Sequence, residues 1–204
     1  SWQRTEALCK AMIERRVGLK YRATTRAHDI IRRPQLVDLL RESGCVELCL
    51  GVESGSDEVL KISDKGMDVK TNEAAIKRIK AGGVRVLSYL ITGLPGMSQD
   101  TERVSLEFMQ RADVDELGWY LFAPFPSTPA WQNRDKYGLV IYEDDIKKDE
   151  WDITQVKARP EDVTCYIAYP EKGLSRERIK EIWLARRAEW DKWRVGKGKC
   201  SIQA

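Results

Sequence analysis

Val84-Arg85-Val86-Leu87-Ser88-Tyr89-Leu90-Ile91-Thr92, followed at once by Gly93-Leu94-Pro95-Gly96, is an apolar run that ends abruptly at a turn. A run of this length, rich in branched and aromatic residues and stopped by Gly and Pro, reads as a strand covered on both faces. The same order recurs on either side. Upstream, Val46-Glu47-Leu48-Cys49-Leu50-Gly51-Val52 leads into Glu53-Ser54-Gly55-Ser56-Asp57, where Ser56 or Asp57 caps a short helical turn through Leu60. A longer helix over Thr71 to Ala81 follows, with Ala75, Ile76 and Ile79 as its buried stripe and Gly82-Gly83 as its stop. Earlier still, Gly18 to Arg26 is strand-like, and a helix opened by Pro34 and closed by Gly44 turns Leu36, Val37, Leu39 and Leu40 inward. Downstream, Ser98 or Asp100 caps a helix carrying Val104, Phe108 and Ala112, and Leu117 to Ala123 forms a last strand closed by Pro124-Phe125-Pro126-Ser127-Thr128-Pro129.

Four strands thus end near Arg26, Glu53, Gly93 and Pro124, at the intervals of right-handed βαβ crossovers, which predicts an α/β fold with a parallel sheet or part of a barrel. A helix over Thr5 to Arg16 precedes them. Residues 1–130 form this unit, and residues 131–204 a mostly helical extension. The extension holds a mixed-charge stretch from Glu143 to Asp152, a β-prone piece from Val163 to Tyr169 and an amphipathic helix at about 175–194, capped by Ser175. Ile179, Ile182, Trp183, Trp190 and Trp193 share one side of that helix, ahead of a basic tail.

Composition narrows the function. With 42% hydrophobic residues the 204-residue chain has material for a real core, so disorder is excluded. No stretch approaches the roughly 20 apolar residues of a membrane span, and the chain starts without a signal-peptide pattern, so a cytoplasmic, non-membrane protein is expected. Lys and Arg total 35 against 32 Asp and Glu, a balance that argues against nucleic acid as the main partner. Cys9, Cys45, Cys49, Cys165 and Cys200 lack the paired spacings of a zinc site or disulfide scaffold, and a reducing compartment fits them. His28, the single histidine, reads as a loop residue, and it leaves no histidine pair for metal or nucleophilic catalysis.

In parallel α/β folds ligands lie outside the carboxyl ends of the strands, which selects four places. Arg26 offers a fork for a carboxylate, although by itself, among Arg22, Arg32 and Arg33, it reads more readily as a surface arginine. Glu53 and Ser54 fall at a pocket mouth, where Glu53 can accept hydrogen bonds from ribose hydroxyls. Gly93, Leu94, Pro95 and Gly96 let a flat ring approach bare backbone, with Ile91 and Leu94 as apolar contacts. The proline-rich crossover from Ala123 to Pro129 is stiff and leaves its carbonyls free.

Gly44-Cys45-Val46-Glu47-Leu48-Cys49-Leu50-Gly51-Val52-Glu53-Ser54-Gly55-Ser56-Asp57, then Val59-Leu60-Lys61, Lys65-Gly66, Ala81-Gly82-Gly83 and Ile91-Thr92-Gly93-Leu94-Pro95-Gly96, together resemble the radical S-adenosylmethionine (SAM) enzymes over about fifty residues. The resemblance implies a partial (β/α) TIM-like barrel of about four parallel strands with flanking helices, corresponding to the later half of that barrel. It implies SAM across the strand ends: Glu53 and Ser54 at the ribose and methionine portions, Ile91, Gly93, Leu94, Pro95 and Gly96 on the adenine side, Phe122 and Pro124 from the last strand, and Arg26 near the methionine carboxylate. A four-iron four-sulfur (4Fe-4S) cluster is implied for the full-length protein, and the last strand and the Trp-rich tail resemble members that also bind cobalamin, often methyltransferases or cyclases.

The family's Cys-x-x-x-Cys-x-x-Cys cluster loop is not in this sequence, nor are the first two strands. Three thiolates hold the cluster's iron, so this chain by itself is expected to be inactive. Either the chain is a piece of a complete enzyme acting on a small molecule or peptide, or it is a cluster-less relative serving as a binding or interaction module. In the second case Trp183, Trp190 and Trp193 dock a partner, although a tryptophan row at helical spacing is more often core than interface. In the first, a missing N-terminal half, a partner chain or self-association covers the open barrel.

Overall fold

The computed structural model describes residues 2–148 and 162–198. In chain order these form α1 (Trp2–Glu14), β1 (Tyr21–Thr25), α2 (Ala27–Arg32), α3 (Gln35–Glu42), β2 (Cys45–Glu53), α4 (Asp57–Ile62), α5 (Val69–Ala81), β3 (Arg85–Thr92), α6 (Gln99–Ala112), β4 (Glu116–Leu121), α7 (Pro129–Gln132), β5 (Val140–Ile141), α8 (Glu143–Lys148), β6 (Ile167–Ala168) and α9 (Arg176–Gly196). The residues of the mixed-charge stretch beyond Lys148, and the tail containing Cys200, lie outside the described residues.

Strands β1 to β4 form one parallel sheet in the order β1-β2-β3-β4. Each crossover passes over the same face, so consecutive βα units lay α2, α3, α5 and α6 side by side there. The helices begin where short polar side chains satisfy the first amides: Ser56 accepts from the Val59 N–H, Asp68 from the Thr71 N–H, and Ser98 from the Thr101 N–H in a full capping box. Leu48, Leu50, Val52, Val86 and Leu90 from the sheet meet Ile30, Val37, Ile76, Ile79, Phe108 and Met109 from the helices in one core.

Three features depart from expectation. Strand β3 alternates instead of being covered twice: Val86, Ser88, Leu90 and Thr92 are buried, whereas Arg85, Leu87, Tyr89 and Ile91 are half-buried. Its second face looks into the open concavity of a sheet that four strands do not close. His28 lies on the short helix α2, whose Ala27 and Ile30 are buried on α5's side of the sheet. The β-prone piece Val163 to Tyr169 forms a strand only at Ile167–Ala168, which pairs antiparallel with β5. The tryptophan row of α9 is core, as its helical spacing suggests, and not a docking surface. Trp183 and Trp190 are 2% and 3% exposed and belong to the main core, with Trp193 packed beside them. The Trp183 indole donates to the Trp119 carbonyl at 2.9 Å, which fastens α9 to β4. Burying these rings removes far more apolar surface from water than a solvent-facing row would.

The extension makes a second cluster of its own. Leu139, Cys165, Ile167, Tyr169, Leu174, Ile179 and Ile182 close around Met97, just beyond the Gly93–Gly96 bend.

Candidate functional site

A cleft of about 1190 Å³ opens at the carboxyl ends of the strands. Glu53, Ile91, Leu94, Pro95, Phe122 and Pro124 line it, six of the ten residues expected at the site. The end of α4 and the turn after it add Lys61, Ser63, Asp64 and Lys65, and the extension adds Asn133, Lys136 and Tyr137.

Glu53 owes its position to a local irregularity. The β2–β3 register slips between Gly51 and Glu53, and Glu53 takes a left-handed backbone at φ 67°. This conformation is strained for a residue with a β carbon and is held by the flanking ladder. The side chain folds back across the concave face, so that Oε1 stands 2.8 Å from where a β carbon on Gly51 would lie. Tyr89 lies across Gly118 in the same way, its Cδ1 2.7 Å from that glycine's β-carbon position, and pairs with the Tyr120 ring at 5.9 Å. Burial, with the Cys49 thiol alongside, pushes the Tyr89 phenol up to about 12, so it stays a neutral donor. The cleft therefore has an aromatic floor, a carboxylate at one edge, apolar walls at Ile91, Leu94 and Pro95, and lysines from two segments.

The other four expected residues are placed elsewhere. Ser54 comes directly after the left-handed Glu53, where the bulge ends the regular alternation of the strand. It is buried against α6, with its hydroxyl 3.2 Å from that of Ser105, instead of at the pocket mouth. Gly93 takes φ 96°, and its β-carbon position is 2.6 Å from Ile167 Cδ1, so the space beside its backbone is filled by the extension. Gly96 packs on Ile62 of α4. Arg26 is exposed at the start of α2, outside the cleft. Lys61, Lys65, Tyr89, Tyr120 and Tyr137 are cleft residues that sequence reasoning did not single out as site residues. Two signals point to three of them: the period of two running back from Ile91 to Tyr89, and the short α4 with its following turn, which bring Lys61 and Lys65 to the strand ends.

The chemistry of the donors decides which cofactors this chain can hold. No group of three or more His, Cys, Asp or Glu suited to a metal ion occurs among the described residues. Cys9, Cys45, Cys49 and Cys165 are buried, and burial raises the thiols of Cys45 and Cys165, the opposite of what a thiolate ligand requires. These residues do not fit a 4Fe-4S cluster. The cleft does fit an amphipathic ligand with a flat ring, hydroxyls and a carboxylate: apolar walls and aromatic floor for the ring, Glu53 as acceptor, lysines as counter-charge. No helix among the described residues is long and apolar enough to cross a membrane.

Comparison with known proteins gives a consistent placement. The chain is 26% identical over 124 residues to the anaerobic magnesium-protoporphyrin IX monomethyl ester cyclase of Rubrivivax gelatinosus, covering 61% of this chain and 22% of that one. It is 26% identical over 170 residues to the hopanoid C-2 methylase of Rhodopseudomonas palustris, covering 80% and 32%. The chain thus spans between a fifth and a third of these relatives' length. Among solved structures, the fold matches the radical S-adenosylmethionine methyltransferase TsrM from Kitasatospora setae, with TM-score 0.57 at 19% identity over 67% of this chain and 30% of that one. It also matches coproporphyrinogen III oxidase (HemN) from Escherichia coli, described as a radical SAM enzyme, with TM-score 0.50 at 22% identity, over 56% and 26%. The model of the radical SAM superfamily matches residues 3–109. With that match over more than half its length and the parallel sheet of a radical SAM barrel, the chain belongs to the radical SAM superfamily.

Proposed function

We propose that the strand-end cleft binds SAM, and that the complete enzyme uses it for radical chemistry ending in methyl transfer or cyclisation. The observation that carries this reading is the Glu53 carboxylate, held over Gly51 by a left-handed bulge and facing the wall of Ile91, Leu94 and Pro95. That pairing suits an adenosine, with Glu53 accepting from the ribose hydroxyls and the bend flanking the base. Lys61 and Lys65, on the cleft wall and without an ion-pair partner among the described residues, suit the methionine carboxylate better than Arg26, which stands outside it. Phe122 and Pro124 continue the apolar wall from the last strand.

When bound, SAM supplies the 5′-deoxyadenosyl radical precursor, whose reductive cleavage draws on a cluster held by other residues than these. The part played by this chain is binding, orientation and exclusion of water. The cleft exceeds the usual 300–1,000 Å³ of a single-ligand pocket, which leaves room beside SAM for a small-molecule or peptide substrate along Tyr120, Phe125 and Tyr137. The relatives include a methylase and a cyclase, and the TsrM structure contains cobalamin; both support these reaction outcomes and cobalamin as a second cofactor of the complete enzyme. The half-buried inner face of β3 supports its being covered by an N-terminal half, a partner chain or a second copy.

Calorimetric titration with S-adenosylhomocysteine tests the reading. Wild type binds, and Glu53→Gln, which keeps the side chain's shape and removes its charge, binds about tenfold more weakly. A folded chain that takes up none of the ligand refutes it.

A further inference from the structure

The Gly93–Met97 bend is gripped from behind by one short segment of the extension. The Tyr169 hydroxyl donates to the Gly93 carbonyl at 2.9 Å in a bond buried from water, spanning 76 residues of sequence. Ile167 fills the space beside Gly93, with Cδ1 2.6 Å from its β-carbon position. Lys172 lies over the Tyr169 ring and donates to the Met97 carbonyl at 3.4 Å. Tyr169 is 1% exposed, which keeps its phenol protonated and a donor at all ordinary pH.

A peptide unit is planar, so fixing one end fixes the other. With the Gly93 carbonyl turned to Tyr169, the trans peptide sends the Leu94 N–H in the opposite direction. That amide has no hydrogen-bond partner among the described residues, although Leu94 is buried and lines the cleft. A buried, unpaired backbone donor is uncommon and invites an acceptor from a ligand. We infer that Tyr169 is a positioning residue: through the Gly93 carbonyl it sets the Gly93–Leu94 peptide so that the Leu94 N–H meets an acceptor on the ligand. The C-terminal extension is then a working part of the ligand pocket. The ligand named here rests on the SAM reading; the brace on the bend does not.

The test compares wild type, Tyr169→Phe and Ile182→Val, the last a packing change in the same apolar cluster that leaves the bend untouched. Two readouts are taken: the Kd for S-adenosylhomocysteine and amide hydrogen exchange at Leu94, Gly96 and Met97. Tyr169→Phe weakens binding about fivefold to tenfold and speeds exchange at the three amides by a similar factor, since the lost bond frees the peptide. Ile182→Val changes both by less than about twofold, whatever it does to the melting temperature. The inference is overturned if Tyr169→Phe binds as wild type does, or if Ile182→Val weakens binding equally. Should wild type bind no S-adenosylhomocysteine, the SAM reading fails and exchange alone decides the brace: unchanged exchange in Tyr169→Phe removes it.

Discussion

Glu53 and Gly51 share one patch of the concave face: the carboxylate of Glu53 occupies the space above Gly51, with Oε1 2.8 Å from the missing β carbon. A methyl group at position 51 would meet only the far end of a flexible side chain, not backbone. Gly51 has no positive φ to relieve, so Gly51→Ala is tolerated by the strand and reduces unfolded-state entropy by about 0.4–1 kcal/mol. The carboxylate, however, must swing off its site. Gly51→Ala is therefore expected to keep or slightly raise the melting temperature while weakening S-adenosylhomocysteine binding about threefold to tenfold. Unchanged affinity in calorimetry would show that the position of Glu53 over Gly51 does not matter.

Gly55 behaves in the opposite way. Its β-carbon position lies 2.6 Å from Ser105 Cα, 2.9 Å from Phe108 Cβ and 3.2 Å from the Val104 carbonyl, so α6 rests directly on the loop. The Gly55 N–H also donates to Ser105 Oγ at 2.9 Å. Neither helix backbone nor a Cβ can move aside as a side-chain tip can. Gly55→Ala is expected to lower stability by roughly 2–3 kcal/mol in urea unfolding, from overpacking alone. Stability within 0.5 kcal/mol of wild type, roughly the spread of a surface change, contradicts that packing.

Those two glycines show what was legible in the sequence and what was not. The strand ends at Glu53, Gly93 and Pro124 stand out because each apolar run is cut by Gly, Pro or a carboxylate, and the rule that ligands gather there found the cleft. Direction was harder to read. The sequence puts Glu53 and Ser54 together at the pocket mouth, yet the bulge and left-handed backbone at Glu53, which no local pattern announces, part the two side chains, and Ser54 turns to Ser105. On β3 the concave residues Leu87, Tyr89 and Ile91 are as apolar as the buried ones, so the sequence hides an alternation that burial reveals. The contacts of Ile167 and Tyr169 with Gly93 span more than seventy residues through a two-residue strand, and no local periodicity encodes them. Helix α2 is hard to read because Arg26, His28, Asp29, Arg32 and Arg33 surround only three apolar residues, of which Ala27 and Ile30 are buried and Ile31 is exposed.

A buried polar chain behind the sheet gives the protein a pH dependence of its own. The Trp119 indole donates to Thr92 Oγ1 at 2.9 Å, and the Thr92 hydroxyl donates to the Glu102 carboxyl. Glu102 is only 4% exposed. Burial pushes its carboxyl up to about 7 against an ordinary 4.5, and neither the Thr92 hydroxyl nor the more distant Arg186 offsets that. The folded state therefore binds more protons than the unfolded state between those two values. Stability contributed by this group is complete below about pH 4.5, falls as pH rises through 7, and then levels off, a loss on the order of 3 kcal/mol. Glu102→Gln carries the shape of the protonated acid and still accepts from Thr92, so it removes the slope. The two proteins are expected to unfold at the same urea concentration near pH 4, with the variant increasingly the more stable up to pH 8. A difference that stays constant across that range, or that grows toward acid, would mean that Glu102 is ionised in the folded protein and that its burial is compensated by a partner other than Thr92.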